Sequence, residues 1–325
     1  MTTTVFVTGA SGFIGSRVAR LLRERGDQVV AVVRDPATAG ALRDIGVRLI
    51  AGDLSSETSI RAGMTGADAV IHIAGSYDIG IPASERPLMY EANVAVTQRV
   101  LDAAISERIP RIVEISTINV FGNSKGQIHD ETFRRDLADG FLSYYDETKY
   151  LAHVAAEARI EAGAPIVIVA PGTVYGAGDH SGLGFQLKAA FDGTARFIAL
   201  GDLGVSPTFV DDIATGIVAA LDRGRVGEVY IMGGESIRLR EAMGIAARAG
   251  GRRAPRLTVP TGVLRLGVRL APGAGALFGL APNLGEILRA ADGVTVWASH
   301  AKASSELGYA PRDLATGARA AFGRQ

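Results

Sequence analysis

The chain contains no cysteine. Disulfides, a thiol nucleophile and Cys-ligated zinc are therefore excluded, and the 5 histidines show no ligand spacing of the His-Glu-x-x-His kind, so no metal site is expected. The absence of cysteine fits the cytoplasm, which is the compartment expected. The chain also has no excess of either charge. Lys plus Arg and Asp plus Glu both number 34, which leaves no basic field to recruit nucleic acid or an anionic membrane. Long apolar runs are missing too: no basic segment followed by an apolar one opens the sequence, and the most apolar late stretch, 270–284, is short and rich in Gly and Pro. No transmembrane helix is expected. There is neither a 20- to 50-residue repeat nor a low-complexity linker. What is present is 325 residues with 47% hydrophobic content, enough for a large core in a sheet domain plus a smaller lobe.

The most informative stretch is Val5-Phe-Val-Thr-Gly-Ala-Ser-Gly-Phe-Ile-Gly15. Val5, Phe6 and Val7 have the bias of a buried parallel strand, whereas Phe13, Ile14, Val18, Leu21 and Leu22 recur at the spacing of a helix face. Between them, Gly9 allows a tight turn, Gly12 lets backbone approach a ligand, and Gly15 lets the helix pack closely on the strand. The helix N-terminus then presents free N–H groups and a positive dipole end, suited to a pyrophosphate. An ordinary glycine turn is the alternative. Further β-like runs at 28–33, 47–51, 69–73, 111–116 and 165–170 alternate with amphipathic stretches. That alternation predicts an α/β fold with a doubly wound parallel sheet.

Thr8-Gly-Ala-Ser-Gly-Phe-Ile-Gly15 resembles the cofactor turn of the extended short-chain dehydrogenase/reductase family, the NAD-dependent epimerase/dehydratase superfamily. The resemblance implies a Rossmann-type domain over 1–172, rejoined by 208–234, and a smaller, mostly C-terminal substrate lobe from 173–207 and 235–325. It adds Ser11, Phe13 and Ile14 to Gly9, Gly12 and Gly15 as cofactor-binding residues. After the second strand stands Val33-Arg34-Asp35-Pro36, which has two readings. Asp35 lies where an acid could bind the ribose hydroxyls of NAD, or it caps a helix whose first residue is Pro36. Arg34 could instead clamp a 2′-phosphate, and Val-Arg-Asp-Pro resembles the NADP-preferring dihydroflavonol reductase branch, so NADP is expected rather than NAD. Asp53 and Leu54 resemble the family's contact with adenine, with a helix N-cap as the alternative for Asp53. Ala74 and Gly75 end the fourth strand where the family places small residues against the cofactor, and His72 beside them reads as a packed strand-end residue. Asn93 falls near a turn of the long helix that the family runs beside the cofactor.

Two later segments carry the chemistry. Ile115-Ser-Thr-Ile-Asn-Val-Phe-Gly122 resembles the family's Ser-Ser-x-x-x-Tyr-Gly run, whose second hydroxyl holds the substrate oxygen; that role maps to Thr117, with a locally satisfied hydroxyl as the alternative. Tyr145 and Lys149 stand at i and i+4 of a predicted helix. An ammonium about 5 Å from the phenol, at an effective dielectric near 20, stabilises the phenolate by roughly 3 kcal/mol, so Lys149 is expected to lower the Tyr145 pKa. Pro171, Thr173 and Val174 lie in a segment similar to the family's loop toward the nicotinamide, although Ala170 stands where the family has Arg. Asp211 and Asp212 read as helix caps. The resemblance covers about residues 4 to 240 and resumes over 301–314, whereas 252–293 matches nothing; the composition of 259–284 suits an apolar pocket wall.

These readings predict an NADPH-dependent oxidoreductase that reduces the carbonyl of a mainly apolar small molecule, with Tyr145 as proton donor, Thr117 orienting the oxygen and Lys149 holding the nicotinamide ribose. A sugar-nucleotide epimerase or dehydratase with tightly bound NAD uses the same trio, and a dinucleotide-sensing binding protein shares the fold. A homodimer through the helices around Asn93 and Tyr145 is implied by the resemblance alone.

Overall fold

The computed structural model describes residues 2–259, 262, 265 and 283–323. The expectation for 259–284 therefore falls, but for 259, 262, 265, 283 and 284, outside the described residues.

Six strands and six helices build the first half: β1 Thr4–Thr8, α1 Gly15–Glu24, β2 Gln28–Val33, α2 Gly40–Asp44, β3 Arg48–Ala51, α3 Glu57–Met64, β4 Ala69–His72, α4 Arg86–Tyr90, α5 Val96–Ser106, β5 Ile112–Ile115, α6 Tyr144–Glu161 and β6 Ile166–Pro171. With the later strand Val229–Met232 they form one seven-stranded sheet, in the order Val229–Met232, β6, β5, β4, β1, β2, β3. Every pairing in it is parallel. This is the doubly wound, Rossmann-type sheet that the alternation predicted.

Strand periodicity sorts the core into two layers. Val5 and Val7 face one side with Val18 and Leu22 of α1, and with Ile213 and Ile217 of helix Val210–Arg223; Phe6 between them faces the other side, with Ile60, Val100 and Leu101. Because β1 and β4 are neighbours, the chain order reverses between β1's two partners, and the crevice that such sheets use for ligands opens at their carboxyl ends.

Helix α6 is fixed at its start from several directions. Ser143 caps it, its hydroxyl accepting the Asp146 N–H at 3.1 Å. Asp146 is 1% exposed and receives both Arg135 (2.8 and 3.1 Å) and the Leu142 N–H (2.9 Å). A further apolar cluster gathers Leu187, Met243, Phe209 and Ala318 around helices Gly182–Asp192, Leu239–Ala249 and Leu314–Phe322. No helix among the described residues is long and apolar enough to cross a membrane.

Candidate active site

The three glycines after β1 are required for different reasons. Gly9 has φ +67°, and a Cβ there would lie 2.8 Å from the Ala74 nitrogen; a Cβ on Gly15 would lie 2.0 Å from the Gly9 carbonyl oxygen. Both are demanded by the chain's own packing. Gly12 is not: it is exposed, and a Cβ there would meet only the Gly9 oxygen at 3.2 Å. Its N–H bends back to Gly9 at 2.9 Å, whereas the N–H groups of Phe13 and Ile14 have no acceptor among the described residues. An open glycine beside unspent donors at a helix N-terminus fits an anionic ligand such as a dinucleotide pyrophosphate. Ser11 is also exposed there, and Phe13 carries the Arg17 guanidinium 4.8 Å above its ring.

At the end of β2, Asp35 accepts the Ala37 N–H at 2.8 Å and so closes a local turn; α2 begins only at Gly40, so Asp35 is not its cap. Arg34 is exposed and makes no hydrogen bond or ion pair among the described residues, and its charge reaches Asp53. Asp53 accepts the Ser55 N–H at 2.7 Å, which together with Arg34 holds its carboxyl below the usual range. The α3 cap is Ser56, not Asp53. Leu54 packs against the layer of α3.

His72 is a packed strand-end residue, and its partners fix its tautomer. The Thr8 hydroxyl oxygen accepts from the Ile73 and Ala74 N–H groups (3.1 and 3.2 Å), so its proton goes to His72 Nδ1 at 2.7 Å. The Thr97 hydroxyl donates to the Asn93 carbonyl at 2.7 Å and so accepts from His72 Nε2–H at 2.9 Å. Burial, with the Lys149 charge adding to it, pushes His72 down to about 3. Asn93 itself sits in a π-helical turn, Glu91–Ala95, with 1% exposure. Its amide bridges Ser76 N–H and C=O (2.7 and 3.0 Å) and reaches Thr148 at 3.0 Å, tying the loop after Gly75 to α6.

Thr117 follows β5, and its hydroxyl accepts the Asn119 N–H at 3.3 Å. Tyr145 on the first turn of α6 is 8% exposed, with the Tyr77 ring edge-on at 4.8 Å. Lys149, also 8% exposed, donates to the Ile115 carbonyl at 2.8 Å. Here the structure corrects the sequence argument. Burial, reinforced by Tyr77, raises the Tyr145 pKa, and what opposes the rise is the Thr117 hydroxyl rather than Lys149. The lysine is the expected one turn away, but the end of β5 supplies a carbonyl that takes its ammonium.

Pro171 ends β6 opposite Met232, the Thr173 N–H donates to the Ser206 carbonyl at 3.0 Å, and Val174 packs half-buried on the α1 layer. Asp211 and Asp212 lie in the first turn of helix Val210–Arg223 without capping it. They pair instead with Arg17 at 3.4 Å and Arg312 at 2.7 Å. The structure thus brings the glycine turn, Ala74, Gly75, Thr117, Tyr145, Lys149 and Pro171 to the carboxyl edge of the sheet, with Arg34 and Asp53 at its far end. Sequence reasoning missed three residues near the Tyr145 helix. Tyr77 stands in a loop with no local signal. Glu286, 1% exposed, accepts the Tyr144 N–H at 2.6 Å from helix Leu284–Ala291. Glu114 lies inside β5 with no partner for either carboxyl oxygen among the described residues, and a charged residue in an apolar run was the signal that could have found it.

Fold and site define a nicotinamide-dependent enzyme of the extended short-chain dehydrogenase/reductase type. The chain belongs to the NAD dependent epimerase/dehydratase family, which it matches over residues 5–233. It is 30% identical over 267 residues to a Synechocystis protein named, provisionally, a dihydroflavonol 4-reductase, covering 78% of this chain and 75% of that one. It is 30% identical over 254 residues to the 4-hydroxy-2-methyl-3-oxo-4-farnesyl-3,4-dihydroquinoline-1-oxide ketoreductase of Stigmatella aurantiaca, covering 75% of each. Among solved structures, gox2253 superposes with a TM-score of 0.84 at 29% identity, over 99% of this chain and 97% of that one. At 22% identity, UDP-glucuronic acid 4-epimerase of Bacillus cereus, solved as a mutant with a fluorinated substrate analogue and NAD, shares the fold with a TM-score of 0.78 over 98% of both chains.

Proposed function

We propose that this enzyme reduces the aldehyde or ketone of a mainly apolar small molecule with NADPH. The observation that carries the reading is Tyr145, a buried phenol beside the Thr117 hydroxyl at the carboxyl edge of the sheet. Burial keeps that phenol protonated at neutral pH, which is the form a donor needs. An alkoxide is a far stronger base than a phenolate, so transfer to a developing alkoxide stays favourable even from a phenol with a raised pKa. Bound NADPH supplies the hydride to the carbonyl carbon. Gly12 with the N–H groups of Phe13 and Ile14 would hold its pyrophosphate, Arg34 its 2′-phosphate, Asp53 and Leu54 its adenine, and Lys149 its nicotinamide ribose. Thr117 would orient the substrate oxygen toward Tyr145.

NADP is favoured over NAD because Arg34 is exposed and uncommitted while the Asp35 carboxylate is spent on its own turn. An apolar carbonyl substrate is supported by the farnesylated ketone in the name of the Stigmatella relative. It is supported also by the run Gly204-Val-Ser-Pro-Thr-Phe-Val210, which offers no cation to a second pyrophosphate. Residues 173–207 and 235–325 would form the substrate side. A homodimer would cover the exposed Ile105, Leu151 and Val154 of α5 and α6.

The test pairs NADPH oxidation by aromatic and aliphatic carbonyls with epimerisation or dehydration of UDP-, GDP- and dTDP-sugars, using wild type and Tyr145→Phe. Wild type is expected to reduce free carbonyls. The variant should lose about 10² to 10⁴ in kcat/KM with cofactor affinity unchanged. Turnover of a nucleotide sugar alone, or retained NAD in the purified protein, would overturn the reading in favour of an epimerase or dehydratase.

A further inference from the structure

The even balance of basic and acidic residues holds for the whole chain and fails locally. From Ala242 to Gly285 the sequence has six arginines, no lysine and no acidic residue, so the rest of the chain is correspondingly acidic. One of the six, Arg265, pairs with Asp292. Arg248, Arg252, Arg253 and Arg256 are exposed and make no ion pair among the described residues. The expectation that charge balance leaves no basic field is corrected by this block.

Folding brings the block beside a second stretch without acids, Gly193 to Gly201. Strands Phe197–Ala199 and Leu257–Val259 pair in parallel, with Phe197 opposite Leu257. Ile198 turns inward at 5% exposure, so Phe197 and Leu257 share the outer face of the ribbon, 55% and 71% exposed. Arg196, also exposed, and Arg256 immediately precede this pair, side by side in the same register. Gly250 closes on the Phe191 carbonyl, where a Cβ would lie 2.1 Å from the oxygen, and the Arg252 stem lies against Gly193. That contact sets Arg252 at the end of helix Gly182–Asp192, three residues ahead of Arg196. Asp192, the acid that precedes Gly193, is taken by Lys188 at 2.5 Å. Arginines from two adjoining segments thus border a pair of large apolar side chains that water leaves uncovered.

We propose that this face docks on an anionic lipid bilayer, with Phe197 and Leu257 entering the headgroup layer and Arg196, Arg252, Arg253 and Arg256 on the lipid phosphates. Charge complementarity selects the occupant. Guanidinium groups bind phosphate through paired N–H donors, and cations set around apolar tips are the composition of an interfacial anchor. The acidic remainder of the chain is repelled by the same surface, which leaves one orientation favoured. A single-stranded nucleic acid would accept the cations but needs planar side chains for its bases, and Leu257 is not planar. Each arginine near an anionic surface strengthens binding by about fivefold, so a few suffice for reversible docking that salt weakens. The inference goes beyond the reductase reading and does not depend on it.

The experiment sediments the full chain with vesicles of phosphatidylcholine alone or with about a third phosphatidylglycerol, in about 0.1 M and about 0.5 M NaCl. Wild type should bind the anionic vesicles at least about tenfold more tightly than the neutral ones at the lower salt, and release them at the higher. Arg252→Glu/Arg253→Glu should lose at least about tenfold in affinity. Phe197→Ser/Leu257→Ser should bind more weakly at either salt and keep the salt dependence, because it removes the apolar part alone. Melting temperatures check that each variant is folded. Should the charge reversal prevent folding, Arg253→Ala/Arg256→Ala, which only shortens exposed side chains, should lose about tenfold or more. Equal binding to both kinds of vesicle, no binding to either, or binding that the folded arginine variant leaves unchanged would overturn the proposal. Retention of single-stranded DNA without any vesicle binding would overturn it in favour of a nucleic acid.

Discussion

Lowering the pH should cost this protein stability through His72 in a way that can be isolated. The imidazole is neutral, with Nδ1 accepting from Thr8 and Nε2–H donating to Thr97. Protonating Nδ1 would set an N–H against a hydroxyl whose oxygen already takes the Ile73 and Ala74 N–H groups. With a folded value of about 3 against 6.5 in the unfolded chain, the unfolded state binds the extra proton first. The contribution is therefore complete above about pH 6.5 and is lost as pH falls toward 3. The whole window is worth about 5 kcal/mol, of which about 3 kcal/mol is gone by pH 4. Other carboxylates titrate in the same range, so the informative quantity is a difference of differences. Urea unfolding of wild type and His72→Gln at pH 7, 5.5 and 4 should show wild type losing about 3 kcal/mol more than the variant. The ring ¹⁵N shifts should report the Nε2–H tautomer unchanged at pH 5. A ring that titrates near 6.5, or parallel losses in the two proteins, would refute the argument. The same bonds hold Ala74 and the Asn93 carbonyl around the glycine turn, and because the folded ring stays neutral down to about pH 3, His72 should leave cofactor affinity unchanged between pH 7 and 4.

Gly12→Ala should weaken NADPH binding at least about tenfold in titration calorimetry with little change in melting temperature. Gly15→Ala, whose methyl would lie 2.0 Å from the Gly9 oxygen, should unfold the protein or lower its stability by more than about 3 kcal/mol. Equal melting temperatures for the two would contradict this assignment of the glycines. Arg34→Ala should cut the preference for NADPH over NADH by about 10- to 100-fold in kcat/KM, leaving the NADH value nearly unchanged; a wild type indifferent between the two would end the NADP proposal. Asp146→Ala removes one partner of a pair whose side chains are 1% and 4% exposed, and should cost about 3–5 kcal/mol in urea unfolding because it strands the Arg135 charge. A loss below about 1 kcal/mol would mean that Arg135 finds water.

What the sequence made legible was what neighbouring residues decide among themselves. The glycine turn, the apolar strands and the four-residue spacing of Tyr145 and Lys149 are short-range facts, and the structure carries all three. The Lys149 electrostatics failed because helix spacing fixes which two side chains are neighbours and says nothing about a third group. That group, the Ile115 carbonyl, arrives from 34 residues away. Asp211 and Asp212 repeat the lesson: their position before a helix suggested caps, whereas Arg17 and Arg312, brought up from other parts of the chain, take their charge. Asn93 sits in a π turn, Glu91–Ala95, and its partner Ser76 is 17 residues away, a contact that helical spacing alone does not name. Glu114 is different again. Its place in an apolar strand was visible, but a sequence alone cannot say whether such a carboxyl is paired. That its two oxygens are left without a partner among the described residues is decided by the strands and the helix packed around β5. Local pattern therefore locates the site, and the partners its polar groups take are decided by contacts of Ile115 and Ser116, at the end of β5, with α6 residues 34 and 37 positions away.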